Sequence, residues 1–507
     1  MSADEKANSM AKKLLKILIP AAAGIAIASV PPPEGLGVAV LGSAVTDPTV
    51  GQIALAGTCA VQFIGVFAAV VLWLIFNALP TWMAVITGCT LCVLLGVADP
   101  TGTLSTSKEY AIVFSSYAGS TIWTIIGVFG VAAVIGASGL LKRVALIVLS
   151  KFPENYVGQV GGILVTCLLT SPLIPSTTAK TAIITPFVRQ VSSALGYKKN
   201  SKGISGMFNA AFFGSQIFGN AFFSGSLIVF IVLGFVPAEY KAMFTWTSWL
   251  QACALWLVVM FVLAYIGIVL IYNPKRDTGD NAVVFEKGFT KKQLDELGPM
   301  SKREKEAIFW LVLAFAGWCI GGNFGLDAGV WSLIVMAPMV VHGDFTVTDF
   351  VTKMSWPMVF FVGGILCLAG MISVLHIDAW IAPILAPVLA PITANPYIFV
   401  AALCILTYIV RLVIVSQVAT VTIFYAALSG IGLAAGINPW VIAWVCYMSS
   451  LCFHFEFSSA QFMTTYSLTN GEMTSFKNCV PANVLFMAAN LAGCLISVPV
   501  WQMMGLM

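Results

Sequence analysis

"TSPLIPSTTAKTAIITP", Thr170 to Pro186, carries seven hydroxyl side chains, three prolines and a lysine. Long apolar segments flank it on both sides. Proline inside a helix removes a backbone donor and clashes with the preceding turn, so this stretch does not run as one continuous helix. A polar, helix-breaking island in apolar surroundings raises the question that decides the fold: where does its backbone go?

The surroundings answer first. The chain has 507 residues, 59% of them hydrophobic and 9% charged, with a mean hydropathy of +0.96. Soluble proteins are about 25% charged, so a soluble globular protein is excluded. Runs such as "FIGVFAAVVLWLIFNAL" and "LWLVVMFVLAYIGIVLIY" recur from end to end, and about 20 apolar residues suffice to span a bilayer as a helix. The fold class is all-α and polytopic. The start, "MSADEKANSMAKKLLKILIP", fits neither a cleaved signal nor a transit peptide. Lys12, Lys13 and Lys16 are expected to hold the N-terminus in the cytoplasm. The 12 cysteines lie mostly in apolar segments, and the Cys89/Cys92 pair lacks the second pair or histidines that a metal site needs. No metal ligand set or cofactor is expected, and His342 and His376 receive no role.

Charge distribution gives orientation. The one long polar interval, 273–306, holds eight Lys/Arg, which places it in the cytoplasm by the positive-inside rule. Its end, "SKRE", is a capping box of Ser301 and Glu304 ahead of the next span. One threading puts 1–16, 141–157, 189–206, 273–306, 342–354 and 467–480 on the cytoplasmic side, and with them 21 of the 25 Lys/Arg. Lys108 and Lys241 fall outside, and Lys180 and Arg411 stay in the membrane. The opening stretch then lies between two cytoplasmic segments too close together for two full spans. It reads as a re-entrant hairpin that turns at the midplane, where irregular backbone is tolerated only against protein or a cavity.

The second half makes the same shape from the other side. In "YIVRLVIVSQVATVTIFYAALSGIG", Ser416 to Thr420 lines up with Ser176 to Lys180. Each hairpin precedes a segment broken by small and polar residues, "FGNAFFSGSLIVF" and "LCFHFEFSSAQF". Two halves of opposite orientation with matching interruptions are the signature of an inverted-repeat transporter. The expected count is roughly 11 spans plus two hairpins. The expected organisation is scaffold spans over 1–156 and 307–378, a loop with an interfacial helix over 273–306, and transport elements over 157–272 and 379–507.

The chemistry follows from the tips. Helix N-termini at the midplane present free N–H groups and partial positive charge to an anion. Ser176, Thr177 and Thr178 add hydroxyl donors, Ser416 and Gln417 supply the mirror half, and Ser224, Ser226, Ser458 and Ser459 sit at the breaks. The alternative use of such hydroxyls is to bond kinked backbone. Lys180 and Arg411 are midplane charges, which cost about 2.5–3.5 kcal/mol to insert and need partners. Either draws in an anion or stands where a coupling cation would; an Arg411–Glu456 ion pair is the structural alternative. His454 and Glu456 share a face only on extended backbone, and Glu456 reads as a proton carrier, a salt-bridge partner or a determinant of cationic substrate groups. No phosphate-binding loop, H-E-x-x-H or G-x-S-x-G is present, so neither ATP-driven transport nor an enzyme is supported.

These residues resemble the divalent anion:sodium symporter (di- and tricarboxylate transporter) family. The likeness is to its exchanger branch, which includes citrate–succinate and tartrate–succinate antiporters and 2-oxoglutarate–malate translocators. It rests on "PSTTAK" at 175–180, "SQVAT" at 416–420, "TIWTIIGVFGVAAVIGASGLLKRVALIVLSKF", "ELGPMSKREK" and "SWPMVFFVGGILCLAGMI". The resemblance implies a dimeric elevator whose two tips bind substrate carboxylates. Thr177, Gln417 and Val418 replace expected tip residues, Thr420 stands for the exchangers' histidine, and "FHFEFSSAQ" replaces a Thr/Pro/Gly-rich loop. Lys180 matches the exchangers' arginine, which implies a fixed charge in place of a coupling cation. The expectation is a bacterial inner-membrane exchanger of small organic anions such as succinate, malate, citrate or tartrate. The alternative is sodium- or proton-coupled symport of these or of a sulfonate or sulfate.

Overall fold

The computed structural model describes residues 3–42, 45–241, 243–274, 288–377, 380, 383–384 and 391–507. Part of the expected cytoplasmic loop, 275–287, and the expected boundary at 378–379 lie outside the described residues. Every regular element among the described residues is helical.

The first half contains α1 (Ala3–Ala28), α2 (Val50–Ile75), α3 (Thr81–Leu94), α4 (Ser120–Ser138), α5 (Leu140–Lys151), α6 (Tyr156–Thr170), α7 (Thr177–Ala194), α8 (Lys202–Ile217), α9 (Leu227–Phe235) and α10 (Trp246–Ile271). The second contains α11 (Lys302–Ile320), α12 (Ala328–His342), α13 (Trp356–Val374), α14 (Pro396–Val410), α15 (Gln417–Ala434), α16 (Pro439–Ser450), α17 (Ala460–Leu468) and α18 (Phe476–Met503). Among the described residues seven helices are long and apolar enough to cross a membrane, and α3, α12, α14 and the Leu14–Ala28 part of α1 are shorter apolar helices. Local chemistry sets many starts. Thr49 with Gln52, Thr245 with Ser248, and Ser301 with Glu304 form capping boxes for α2, α10 and α11, satisfying orphan N–H groups that a membrane helix cannot leave to water.

The two halves repeat. Three spans (α2–α4 and α11–α13) precede a helix pair (α6–α7 and α14–α15), then a broken pair (α8–α9 and α16–α17), then a last long helix (α10 and α18). With α1 added, and each broken pair taken as one span, this gives the expected 11 spans plus two hairpins. Packing respects the repeat: α4 lies on α12 as α13 lies on α3, and α10 runs along α18. At the α4–α12 crossing Gly127 faces the Ser332 side chain so closely that a Cβ would overlap it, a close approach of the kind that holds helices together without a hydrophobic driving force. Trp256 Nε1 donates to Asn490 Oδ1 at 3.0 Å and Trp501 Nε1 to the Ala252 carbonyl at 2.8 Å, locking α10 to α18.

The segments threaded to one side of the membrane meet one another. Arg143 pairs with Glu304 at 2.7 Å, the Glu154 carboxylate accepts from Gly288 N at 2.8 Å, and Glu472 holds Lys199 at 2.6 Å and also Arg189. At the opposite side Ser120 donates to Asp327, and Asn438 N donates to the Leu506 carbonyl at 2.9 Å.

Candidate functional site

The opening stretch turns as expected. α6 ends at Thr170, a short 3-10 turn covers Ser171–Leu173, and α7 starts at Thr177. In the second half α14 ends at Val410 and α15 starts at Gln417. The tips are equivalent at the atomic level: Lys180 N donates to the Ser176 carbonyl at 3.0 Å, and Thr420 N to the Ser416 carbonyl at 3.1 Å. Ser416 also caps α15 by accepting from Ala419 N at 3.2 Å. Thr177 and Gln417 are half-buried at the helix starts. The side chain of Thr178 lies outside the described residues. Thr420 spends its hydroxyl proton on the Ser416 carbonyl at 2.9 Å.

Each break begins where a half-helix ends on small or polar residues, and each second half starts on a serine cap. Ser226 accepts from Ile228 N at 3.4 Å and Ser459 from Phe462 N at 3.1 Å. Ser224 donates to the Pro172 carbonyl at 2.7 Å, tying break to tip. Ser458 exchanges bonds with the Phe455 backbone. All four serines are buried, and the backbone bonds made by each hold the break in shape. Gly219 and Gly225 cross so closely that a Cβ on either would strike the other's carbonyl.

The two buried cations act alike. Lys180 is 1% exposed, and its ammonium donates to the Gly225 carbonyl at 2.8 Å. Arg411 is 1% exposed, and its guanidinium reaches the carbonyls of Cys452, Ser458, Ile414 and Val415. Gly225 precedes the cap Ser226, and Ser458 precedes the cap Ser459. Each half therefore aims one cation, from opposite sides of its tip, at the same carbonyl of its own broken helix. The Arg411–Glu456 pair does not form. Glu456 is exposed and enters no ion pair among the described residues. His454 turns away, with Nε2 3.0 Å from the Tyr408 carbonyl. The backbone at Phe455 is extended as expected, but no hydrogen bond or ion pair joins His454 to Glu456 among the described residues.

Sequence reasoning missed several participants. Ser171 occupies the position in the first tip that Arg411 holds in the second, five residues before the tip serine, and its buried hydroxyl has no partner among the described residues. Gln216 and Asn220 at the first break also keep side-chain atoms buried and unpaired. Their signal was present as polar residues beside the break. Apart from the tips, Glu306, His342 and Asp344 gather at one end of α11 and α12, with ligand atoms within 4.8 Å. All 12 cysteines are free, and all but Cys319 are buried.

Paired hairpins and broken helices with polar tips inside an all-helical membrane fold define a transporter of the inverted-repeat class. The chain belongs to the family described as the sodium:sulfate symporter transmembrane region, which matches residues 52–505. The inner membrane protein YbhI of Escherichia coli K12 is 27% identical over 277 residues, 54% of this chain and 57% of that protein. YflS of Bacillus subtilis 168, provisionally named a malate transporter, is 25% identical over 75% of this chain and 73% of its own length. An E. coli L-tartrate/succinate antiporter is 24% identical over 74% of this chain and 78% of its own. Among solved structures, MtrF of Neisseria gonorrhoeae and YdaH of Alcanivorax borkumensis each superpose with a TM-score of 0.54. Their sequence identities are 14% and 13%, they cover 84% of this chain, and the match takes in 96% and 99% of their own lengths. They share its fold. The chain is a multi-pass membrane transporter and not an enzyme.

Proposed function

We propose that the chain exchanges small di- or tricarboxylates, of the size of succinate, malate, tartrate or citrate, across the bacterial inner membrane. The transported anion sits on the helix starts at Ser176–Thr178 and Ser416–Gln417, where N–H groups and hydroxyls supply donors. The hairpins, the broken helices and the last helix of each half move as one body past the remaining spans. The orientation is N-terminus cytoplasmic, on the charge asymmetry described above, and the assembly is a homodimer.

One observation carries the exchange reading. Lys180 and Arg411 bond the carbonyls before both cap serines, so positive charge at the two breaks is covalently part of the protein. No cation from solution is needed to offset those carbonyls, and return of the empty body is not tied to ion release. The names of the relatives, malate transporter and tartrate/succinate antiporter, support the substrate class. A second reading, proton-coupled symport, is favoured by the exposed Glu456 carboxylate, which enters no ion pair among the described residues.

The test is uptake of labelled succinate, malate, tartrate and citrate into proteoliposomes, empty or preloaded, with and without sodium and proton gradients. Exchange predicts uptake only into preloaded vesicles, indifferent to both gradients. Uptake into empty vesicles driven by a gradient would overturn exchange and name the coupling ion.

A further inference from the structure

A cavity of about 660 Å³ opens between the first break with its following segments and α4, α11 and α12, and none of its lining residues belongs to a tip. That is within the usual 300–1,000 Å³ range of small-molecule sites. From one side it is lined by Phe223 of the first break, Phe230 of α9, Phe244 and Trp246; from the other by Trp318 of α11 and the end contacts of α4 and α12. Trp246 and Trp318 stack face to face, centroids 4.4 Å apart and 4° from parallel.

One cation in this aromatic lining is unspent. Trp318 Nε1 donates to Ser332 at 2.9 Å and Trp246 Nε1 is fully buried, so neither stacked indole offers its N–H to the cavity. Lys241 also lines the cavity, and among the described residues its ammonium has no hydrogen-bond or ion-pair partner. The one carboxylate in the lining, Asp327, is engaged: it accepts from Ser120 and, at 2.7 Å, from Gly329 N as the cap of α12.

We propose that this cavity binds an aryl carboxylate, its ring among Phe230, Phe244 and Trp318 and its carboxylate on the Lys241 ammonium. The occupant touches both groups of helices. On the moving-body reading above, on which this consequence rests, it is held in only one position of the cycle, so it shifts the population toward that position and slows exchange without entering the anion site.

The probe is 4-phenylbutyrate, with 4-phenylbutylamine as its cationic counterpart, on the purified full chain in detergent. Calorimetry should show binding of the carboxylate, and saturation should raise the melting temperature. Lys241→Gln should weaken that binding by on the order of tenfold, the weight of a hydrogen bond to a charged group. In proteoliposomes inhibition by 4-phenylbutyrate should persist at saturating succinate, and the Lys241→Gln variant should transport normally but resist the inhibitor. Absence of binding, equal binding to Lys241→Gln, tighter binding of the amine, or relief by succinate would each overturn the proposal. Binding and stabilisation intact in a protein that moves none of the tested dicarboxylates would instead sink the substrate assignment alone.

Discussion

Lys180 and Arg411 look interchangeable as buried cations, but their geometry sets different demands. Among the described residues Lys180 serves one acceptor, the Gly225 carbonyl, so a methionine of similar shape removes the charge and little volume. Lys180→Met should therefore fold yet lose at least about tenfold in exchange rate, the value of one charged hydrogen bond at 1.5–3 kcal/mol; counterflow at matched protein levels measures it. Arg411 spreads a planar fork over four carbonyls on two segments. A lysine cannot reproduce a fork, so Arg411→Lys should lower the melting temperature as well as transport, which thermal denaturation followed by tryptophan fluorescence will register. Glu456 supplies the contrast. Exposed and unpaired, it should tolerate Glu456→Gln with no change in melting temperature and, for a fixed-charge exchanger, a flux within about a factor of two, since surface substitutions of this kind are usually near neutral. A collapse of transport in that variant would move coupling onto Glu456.

At the scale of elements, the sequence marked both hairpins and both breaks because the residues that interrupt helices are chemically distinctive. Pro172, Pro175 and the serine and threonine run at 176–178 announce a turn, and Ser416 announces its mirror. What stayed hidden is carried by backbone. The acceptors of Lys180 and Arg411 are carbonyls, which every residue possesses, so the sequence could place the cations in the membrane without saying what they hold. The use of Ser224, Ser226, Ser458 and Ser459 to fix the breaks is likewise a matter of geometry. The crossing of Gly219 and Gly225 shows how tightly the first break is drawn. Gly225→Ala places a methyl against backbone that cannot move aside, and overpacking of this kind costs about 1–3 kcal/mol. The expected result is a lower melting temperature and lower yield of folded protein than for Gly136→Ala, where a Cβ meets nothing within 4 Å.

For the whole molecule, the question is what makes two repeats one body. On one face Glu472, between α17 and α18, bonds Lys199 beyond α7 and Arg189 within it. The Lys199 hydrogen bond, with help from Arg189, holds the Glu472 carboxyl below its ordinary 4.5. A depressed pKa contributes stability that is present above the ordinary value and is lost as pH falls through the lowered one. Melting temperature measured downward from pH 6 should thus hold to about pH 4.5 and then fall more steeply in the wild type than in Glu472→Gln, which has no carboxylate to protonate. High salt should shrink the difference, because Lys199 is largely exposed. The rest of the union is buried: Trp256 on α10 with Asn490 on α18, and Phe212 on α8 edge-on to Phe453 in the second break.

That union has a consequence for how the protein is made. Trp256 and Asn490 are 234 positions apart in the chain, and Arg189 and Glu472 are 283. At ribosomal speeds of about 5–20 residues per second, the first half waits roughly 10–60 s for these partners. Throughout that interval Arg189 and the aromatic face of α8 are already synthesised while Glu472 and Phe453, which will meet them, are still unborn. The membrane insertion machinery must shelter a half-finished repeat for most of the time it takes to translate the other.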